Sequence, residues 1–293
     1  MEILEEKDKE QMLFLLSNIF SNKKTNYFPL QNYINIERKQ LFKIKKFQYY
    51  YFKKNTVDTK RAVLFLYKDS NDENVSILIF KDLSILKINL EAPPFYFIGS
   101  VFEVSYTEND ITLYDSFLIS GNKINYLTFN ERIFYANDLI VNSYCDDFKF
   151  SMVYYFDNIE FLRDNLGENE EIFMIPNVIS VLTGNNYSFL KWKNPEDITF
   201  CLKACEVSDD LILYSTNFRK LIRFAKVFDN AKKSIQELEN YKNECMVEFN
   251  IIDAKMVPRK VIEDKEYPTS IRIIEKILSI KEENISFDEL IKN

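Results

Sequence analysis

The most informative segment of this chain spans residues 190–200 and reads Leu190-Lys191-Trp192-Lys193-Asn194-Pro195-Glu196-Asp197-Ile198-Thr199-Phe200. It contains the only tryptophan of the protein. Lys191 and Lys193 are two residues apart, so on a β-strand their side chains point to the same face. Two ammonium groups on one face can hold the phosphates of a nucleotide. The alternative is an exposed strand with two solvated lysines around a core tryptophan, and the segment by itself favours this alternative.

Length and composition predict a globular protein. The 293 residues fit one large domain or two unequal ones, and 46% of them are hydrophobic, which is enough for a sizeable core. The longest apolar runs, such as 62–67, are far shorter than the ~18 residues that span a bilayer. The N-terminus is acidic and has no basic segment followed by an apolar one. We therefore expect an intracellular protein with no membrane partner, in either nucleus or cytoplasm.

Several classes of chemistry are excluded by missing residue types. Without any histidine, the chain has no Ser-His-Asp or Cys-His relay. Its four cysteines form no CxxC pair, so we expect reduced thiols and no metal site. With only four glycines, it has neither a Walker loop nor a GxGxxG fingerprint. Any chemistry must use Lys, Asp, Glu, Tyr or Cys.

The pattern along the chain predicts an α+β domain, a small barrel and a C-terminal helix. The apolar spacing over 7–20 predicts a helix, and β-rich runs at 62–67 and 75–80 predict a hairpin. Helices are also expected over 130–142 and 270–280, and strands at 124–128 and 178–182. Short strands at close spacing beyond 200 indicate a small barrel.

Basic residues are clustered although the net charge is −7. The negative charge argues against a uniformly basic surface for nucleic acid. The clusters can be solvated faces or phosphate-binding patches, and the sequence leaves both open. They comprise Lys39, Lys43, Lys45 and Lys46; Lys53, Lys54, Lys60 and Arg61; and Arg219, Lys220, Arg223 and Lys226.

Segment 190–200 is similar to motif V of the eukaryotic and viral mRNA-capping guanylyltransferases, where LKWKP is followed by an Asp-Phe pair. Other segments resemble this family in order and spacing, so the resemblance covers nearly the whole chain. These are Phe28-Pro29, Leu113-Tyr114-Asp115 with Asn130-Glu131-Arg132, 239–249, 263–269 and 285–290. In that family a lysine of a K-x-D-G motif attacks the α-phosphate of GTP, and the GMP then passes to the diphosphate end of RNA.

The resemblance implies an α+β fold with three parts. A nucleotidyltransferase domain of ATP-grasp-like antiparallel sheets with helices is expected over 1–198. A C-terminal OB-fold β-barrel follows over 199–269. The last segment, 270–293, is expected to be helical and to pack back on the first domain.

Motif I departs from the family at the nucleophile. The aligned stretch is 56–61, in which Asp58 and Arg61 match, but Thr56 stands at the lysine position and Thr59 at the glycine. A threonine hydroxyl is neutral and cannot form the phosphoramidate. Lys53 and Lys54 are close but displaced, and a displaced reacting atom is costly.

Other motifs also depart from the family. In motif III, Glu103 remains, and Phe102 replaces a glycine, where we expect it to fill space near the nucleotide. Motif IV aligns with 176–179 and lacks its acidic residue. In motif VI, Ile262 replaces an arginine, while Asp264 and Lys265 remain. The phosphate-binding remnants are therefore Asp58, Arg61, Glu103, Lys191, Lys193, Asp264 and Lys265.

These losses predict a guanylyltransferase-like protein without catalytic residues, cofactor or metal, which binds RNA or a ribonucleoprotein such as a ribosome or the transcription machinery. The first alternative is an active capping guanylyltransferase that uses GTP, magnesium and a shifted lysine, Lys54 or Lys53. The second alternative is a protein-binding scaffold.

Overall fold

The computed structural model describes residues 30–55, 59–167, 170–181, 184–208, 210–218, 220–227, 229–253, 255–263 and 267–292. These residues divide into two compact units. The first comprises 30–36 and 40–192, and the second comprises 37–39 and 193–292. The helix predicted over 7–20 and the Phe28-Pro29 segment lie outside the described residues. The predicted domain boundaries stay predictions, and the observed division falls after Trp192.

The first unit contains two large sheets, a two-stranded ladder and two α-helices. One sheet has the strand order β1-β13-β12-β2, and the other has the order β11-β8-β7-β3-β4-β5 with β9 beside β8. The ladder pairs β10 with β6. The helices are α1 (Leu41–Lys46) and α2 (Phe129–Asn142). The strands are β1 (Gln31–Asn35), β2 (Tyr49–Asn55), β3 (Lys60–Lys68), β4 (Asn74–Phe80), β5 (Ile85–Ile88), β6 (Leu90–Glu91), β7 (Ser100–Tyr106), β8 (Asp110–Ile119), β9 (Asn122–Lys123), β10 (Tyr144–Cys145), β11 (Lys149–Met152), β12 (Glu170–Pro176) and β13 (Gly184–Trp192).

The alternation along β3 explains why the seven-stranded sheet is covered on both faces. Val63 and Phe65 point to one face and join a core that also takes Phe52 and Phe189 from the four-stranded sheet. Leu64 and its neighbours point to the other face, where α2 packs. The two sheets therefore face each other across a shared core.

A buried ion pair fixes α2 to the seven-stranded sheet. Arg132 on α2 donates two hydrogen bonds of 2.9 Å to the carboxylate of Asp115 on β8, and a third of 2.7 Å to the carbonyl of Leu127. Both side chains are almost completely buried. At the start of α2, Thr128 and Glu131 form a capping box. The predicted helix over 130–142 is confirmed, and Asp115 and Arg132 are structural residues.

The second unit is a five-stranded antiparallel sheet with the strand order β16-β15-β14-β17-β18. A helix, α3 (Asp229–Gln236), connects the third strand in sequence to the fourth. This order and helix position are those of the OB fold, a partly open barrel. The strands are β14 (Phe200–Val207), β15 (Asp210–Asn217), β16 (Lys220–Val227), β17 (Glu244–Ile252) and β18 (Lys255–Ile262).

The C-terminal helices are α4 (Ile271–Glu283) and α5 (Phe287–Lys292). Ile274 and Ile277 of α4 lie in one core with Phe200 and Val247 of the sheet. We expected segment 270–293 to pack on the first domain, whereas these two isoleucines are part of the core of the second unit. The predicted fold class is confirmed: α+β, with two facing sheets that are antiparallel apart from the parallel pairs β1–β13 and β11–β8, an OB-type sheet and a C-terminal helix.

Two short strand predictions are wrong. Residues 124–128 form a turn that leads into α2, and 177–180 form a second turn. The two turns are joined by backbone hydrogen bonds, from the Phe129 amide to the Asn177 carbonyl and from the Val181 amide to the Asn125 carbonyl. The apolar residues of both segments pack at the edge of the core and do not extend a sheet. Within the described ranges, no helix is both long and apolar enough to cross a membrane.

Candidate functional site

A cavity of about 320 Å³ lies between the two sheets of the first unit. Its walls come from β1, β2, β12 and β13 on one side and from β3, β7 and β8 on the other. The lining residues are Tyr33, Phe52, Lys54, Thr59, Arg61, Glu103, Tyr114, Glu171, Phe173 and Lys191. Its volume is at the small end of the range for ligand pockets.

The polar lining follows from strand periodicity. Lys54 is two residues beyond the core residue Phe52, and Arg61 is two residues before Val63. Lys191 likewise follows Phe189 by two residues. Because alternate residues of a strand share a face, each basic side chain points the same way as its core neighbour. The core therefore ends where the strands change from apolar to charged residues, and the cavity begins there.

Two carboxylates balance two of the three cations in the cavity. The Nε atom of Arg61 lies 2.6 Å from Oε1 of Glu103, and Nζ of Lys191 lies 2.6 Å from Oε2 of Glu171. Among the described residues, Lys54 has no such ion pair, although its backbone pairs with that of Glu171 across β2 and β12. The Lys54 amine is therefore the cation left without a carboxylate partner in the described part of this site.

The Lys54 amine lies over the ring of Tyr114, 4.8 Å from its centroid. Burial, together with the positive charges of Arg61 and Lys191, lowers the pKa of Lys54 to about 8, against the opposing effect of Glu103 and Glu171. A lysine with this pKa has a substantial neutral fraction near physiological pH, whereas an ordinary lysine has almost none. A desolvated amine beside other cations is the usual form of a nucleophilic lysine.

Aromatic rings form the remaining walls of the cavity. Phe52 and Phe173 are stacked with centroids 5.1 Å apart, and Tyr33 meets Phe173 edge-on at 4.8 Å. The guanidinium of Arg61 lies 5.5 Å from the ring centroid of Tyr33. Burial raises the pKa of Tyr114 to about 12, so its hydroxyl stays protonated. Cations for phosphates and flat rings for a base are the groups that a nucleotide requires.

The structure brings together four of the residues singled out from the sequence: Lys54, Arg61, Glu103 and Lys191. Lys193 lies beyond the end of β13 and belongs to the second unit. Thr56, Asp58, Asp264 and Lys265 lie outside the described residues.

The predicted role of Phe102 is wrong. Its side chain is fully buried on the other face of the seven-stranded sheet, where it lies near Tyr96 with ring centroids 6.0 Å apart. Glu103 points into the cavity, and adjacent residues of a strand point to opposite faces. Phe102 therefore fills the second core and does not enter the cavity.

Sequence reasoning missed Glu171 and the aromatic lining. The family alignment placed the acidic motif at 176–179, whereas the carboxylate that lines the cavity is on β12, several residues earlier. A signal was present in the two pairs Lys53-Lys54 and Glu170-Glu171: Lys54 lies opposite Glu171 across β2 and β12, and the Lys53 amine forms an ion pair with Glu170. Complementary charges on two strand-like segments predict such pairing.

Comparisons with known proteins give a distant structural similarity. No protein-family profile matches the chain, and no curated protein matches it in sequence. Among solved structures, it is similar to a mycobacterial DNA ligase D complexed with ATP and MES, with a TM-score of 0.41 and 9% identity over 74% of this chain and 90% of that one. It is also similar to the ligase domain of M. tuberculosis LigD, with a TM-score of 0.37 and 8% identity over 80% of this chain and 94% of that one. Both similarities are too weak to assign an activity.

Proposed function

We propose that the cavity binds a nucleoside triphosphate and that Lys54 accepts the nucleotidyl group, for transfer to the end of an RNA strand. The observation that carries this proposal is the Lys54 amine, which lies in the cavity without a carboxylate partner in the described chain and with a pKa of about 8. GTP is the first nucleotide to test, because the resemblance to capping guanylyltransferases implies it.

The proposed step forms one bond and breaks one. The neutral Lys54 nitrogen attacks the α-phosphorus, the bond from that phosphorus to the bridging oxygen breaks, and pyrophosphate leaves. The nitrogen loses a proton to solvent and keeps the nucleoside monophosphate as a phosphoramidate. Arg61 and Lys191 are placed to stabilise negative charge on the phosphates. In the second step, a terminal oxygen of the RNA 5′ phosphate attacks the same phosphorus, the phosphorus–nitrogen bond breaks, and the Lys54 nitrogen takes up a proton from solvent.

A magnesium ion bound with the triphosphate fits the donor set of this cavity. Magnesium is usually held by one or two carboxylates together with substrate phosphates and water, and Glu103 and Glu171 are the carboxylates that line the cavity. When bound, the ion would neutralise charge on the phosphates.

Of the functions predicted from the sequence, this proposal adopts the first alternative, an active transferase that uses a shifted lysine. It replaces the main prediction, an inactive protein that binds RNA or a ribonucleoprotein. The expectation of inactivity depended on Thr56 being the position that faces the nucleotide. Lys54 faces the cavity because it shares a strand face with Phe52. No described feature of the cavity favours a protein-binding scaffold.

Covalent labelling tests the proposal, with the adjacent lysine as a matched control. The protein is incubated with magnesium and α-³²P-labelled GTP, then ATP, CTP and UTP, and is denatured before electrophoresis. We expect label on the protein, lost in Lys54→Ala and in Lys54→Arg. Lys53 points to the opposite face and pairs with Glu170 at 3.3 Å, so Lys53→Ala should keep the label.

Two outcomes would contradict the proposal in different ways. Label that survives in Lys54→Ala would move the nucleophile elsewhere. A stabilising thermal shift with nucleotide, but no label with any of the four nucleotides, would support a non-catalytic nucleotide-binding protein, as the sequence predicted.

A further inference from the structure

We propose that the outer face of α1 binds single-stranded nucleic acid, through an exposed ring flanked by two lysines. We call Phe42, Lys45 and Lys46 the α1 ridge. The inference rests on the proposed function in one respect: a nucleotidyl group needs an acceptor strand, and the ridge is a surface for that strand outside the cavity.

The geometry of the ridge follows from helical spacing. Leu41 and Ile44 are buried and attach α1 to the first unit. Phe42, Lys45 and Lys46 are at positions i, i+3 and i+4, which share one face of a helix. Phe42 is 59% exposed, although a phenylalanine in a helix with a buried face would ordinarily be part of that face.

The charge of the ridge is positive and is not balanced locally. α1 contains Lys43, Lys45 and Lys46 and no acidic residue. Within the described chain, neither Lys45 nor Lys46 has an ion pair, and Lys46 lies 5.5 Å from the ring centroid of Phe47. Lys39, which belongs to the second unit, is by contrast paired with Glu37. Although the net charge of the chain is −7, the described residues leave this basic face, with its exposed ring, without a compensating ion pair at Lys45 or Lys46.

Single-stranded nucleic acid fits this combination better than an acidic peptide does. Lysines follow the phosphate backbone, and a ring exposed beside them provides a stacking surface for an unpaired base. An acidic peptide would use the charges but not the ring. The ridge is also connected to the cavity, since the strand that follows α1, β2, carries Lys54. Five residues from Tyr49 to Lys54 extend about 17 Å, a distance that a strand of a few nucleotides covers.

Fluorescence anisotropy with a labelled RNA oligonucleotide of about 12 nucleotides tests the inference. Lys45→Ala with Lys46→Ala should weaken binding about 20-fold at 0.1 M salt and reduce the slope of log K against log salt by about 1.4, because two phosphate contacts are lost. Phe42→Ala should weaken binding about 5-fold or more through lost stacking. A DNA oligonucleotide of the same sequence distinguishes ribose-dependent from general strand binding.

Matched variants separate the ridge from general effects of charge and hydrophobicity. Lys81→Ala with Lys149→Ala removes two exposed lysines elsewhere in the first unit, and Phe134→Ala removes a ring that is 67% exposed. Both should leave RNA binding unchanged. The inference is wrong if the ridge variants bind RNA like the wild type, or if polyglutamate of equal charge competes as well as RNA does.

The two proposals fail separately in this design. The ridge variants should keep covalent labelling by free nucleotide, because they leave the cavity intact. Lys54→Ala should lose the label and keep RNA binding. If the wild type binds RNA through the ridge but takes no label, only the proposed transfer is refuted. If it takes label but does not bind RNA through the ridge, only the ridge proposal is refuted.

Discussion

The pH dependence of Lys54 labelling should have an inflection near pH 8. With a pKa of about 8, the neutral amine is roughly 9% of the total at pH 7, 50% at pH 8 and 91% at pH 9. The labelling rate should therefore rise about 5-fold from pH 7 to pH 8 and only about 2-fold from pH 8 to pH 9. An unperturbed lysine would give about a 10-fold rise in the labelling rate for each pH unit. The shape of the profile thus reports the environment of the amine.

Single-turnover labelling at nucleotide concentrations well below saturation and at constant ionic strength is the suitable assay, because the rate per nucleotide concentration reports the pKa of the free protein. Two variants should move the inflection in opposite directions. Arg61→Gln removes a charge that lowers the pKa of Lys54, so the inflection should move above pH 8. Glu171→Gln removes a charge that raises it, so the inflection should move below pH 8. A rate that rises 10-fold per unit up to pH 9, with no plateau, would refute the assignment of a desolvated Lys54.

Two further predictions concern stability. Arg132→Ala should lower the free energy of unfolding by about 3–5 kcal/mol in urea denaturation, because Asp115 is left as a buried, unpaired charge; a loss under about 1 kcal/mol would show that water reaches the carboxylate. Lys54→Met should raise the free energy of unfolding at pH 7 by about 1–3 kcal/mol, because a buried ammonium is replaced by an apolar side chain. The pKa of Lys54 is lower in the folded protein than in the unfolded chain. The destabilisation of the wild type is therefore present below pH 8 and disappears as the pH rises toward 10.5. Thermal melts should show a smaller difference in melting temperature between Lys54→Met and the wild type at pH 10 than at pH 7.

The sequence predicted the elements that have one clear periodicity. The hairpin of β3 and β4 was predicted because two β-rich runs flank a polar turn, and α2 because its apolar spacing is helical. The turns at 124–128 and 177–180 were mistaken for strands, because short apolar runs have the same composition whether they cross a sheet or close the edge of a core. Only tertiary contacts, such as the amide of Phe129 with the carbonyl of Asn177, distinguish the two.

The sequence predicted only some of the residues of the candidate site. The residues that were found belong to linear motifs, and those that were missed do not. Lys191, Arg61 and Glu103 were found because each is in a segment that resembles a known motif. Glu171 and Tyr33 were not found, because they meet the others only through the pairing of β12 and β1 with neighbouring strands. Pairing between distant segments is set by the whole sheet and is not recorded in any one stretch of sequence.

The question of activity turns on how a lysine reaches the cavity, and this depends on strand parity more than on motif spacing. A motif alignment counts residues along the chain, and on that count a lysine at 54 is displaced from position 56. Within β2, alternate residues share a face, so Lys54 points the same way as Phe52 and Lys53 points the opposite way. Phe52 shows which face this is, because it lies in the core directly below the cavity. Lys53 fails this criterion and Lys54 meets it, so the two adjacent lysines are a direct test of whether parity or spacing determines the nucleophile.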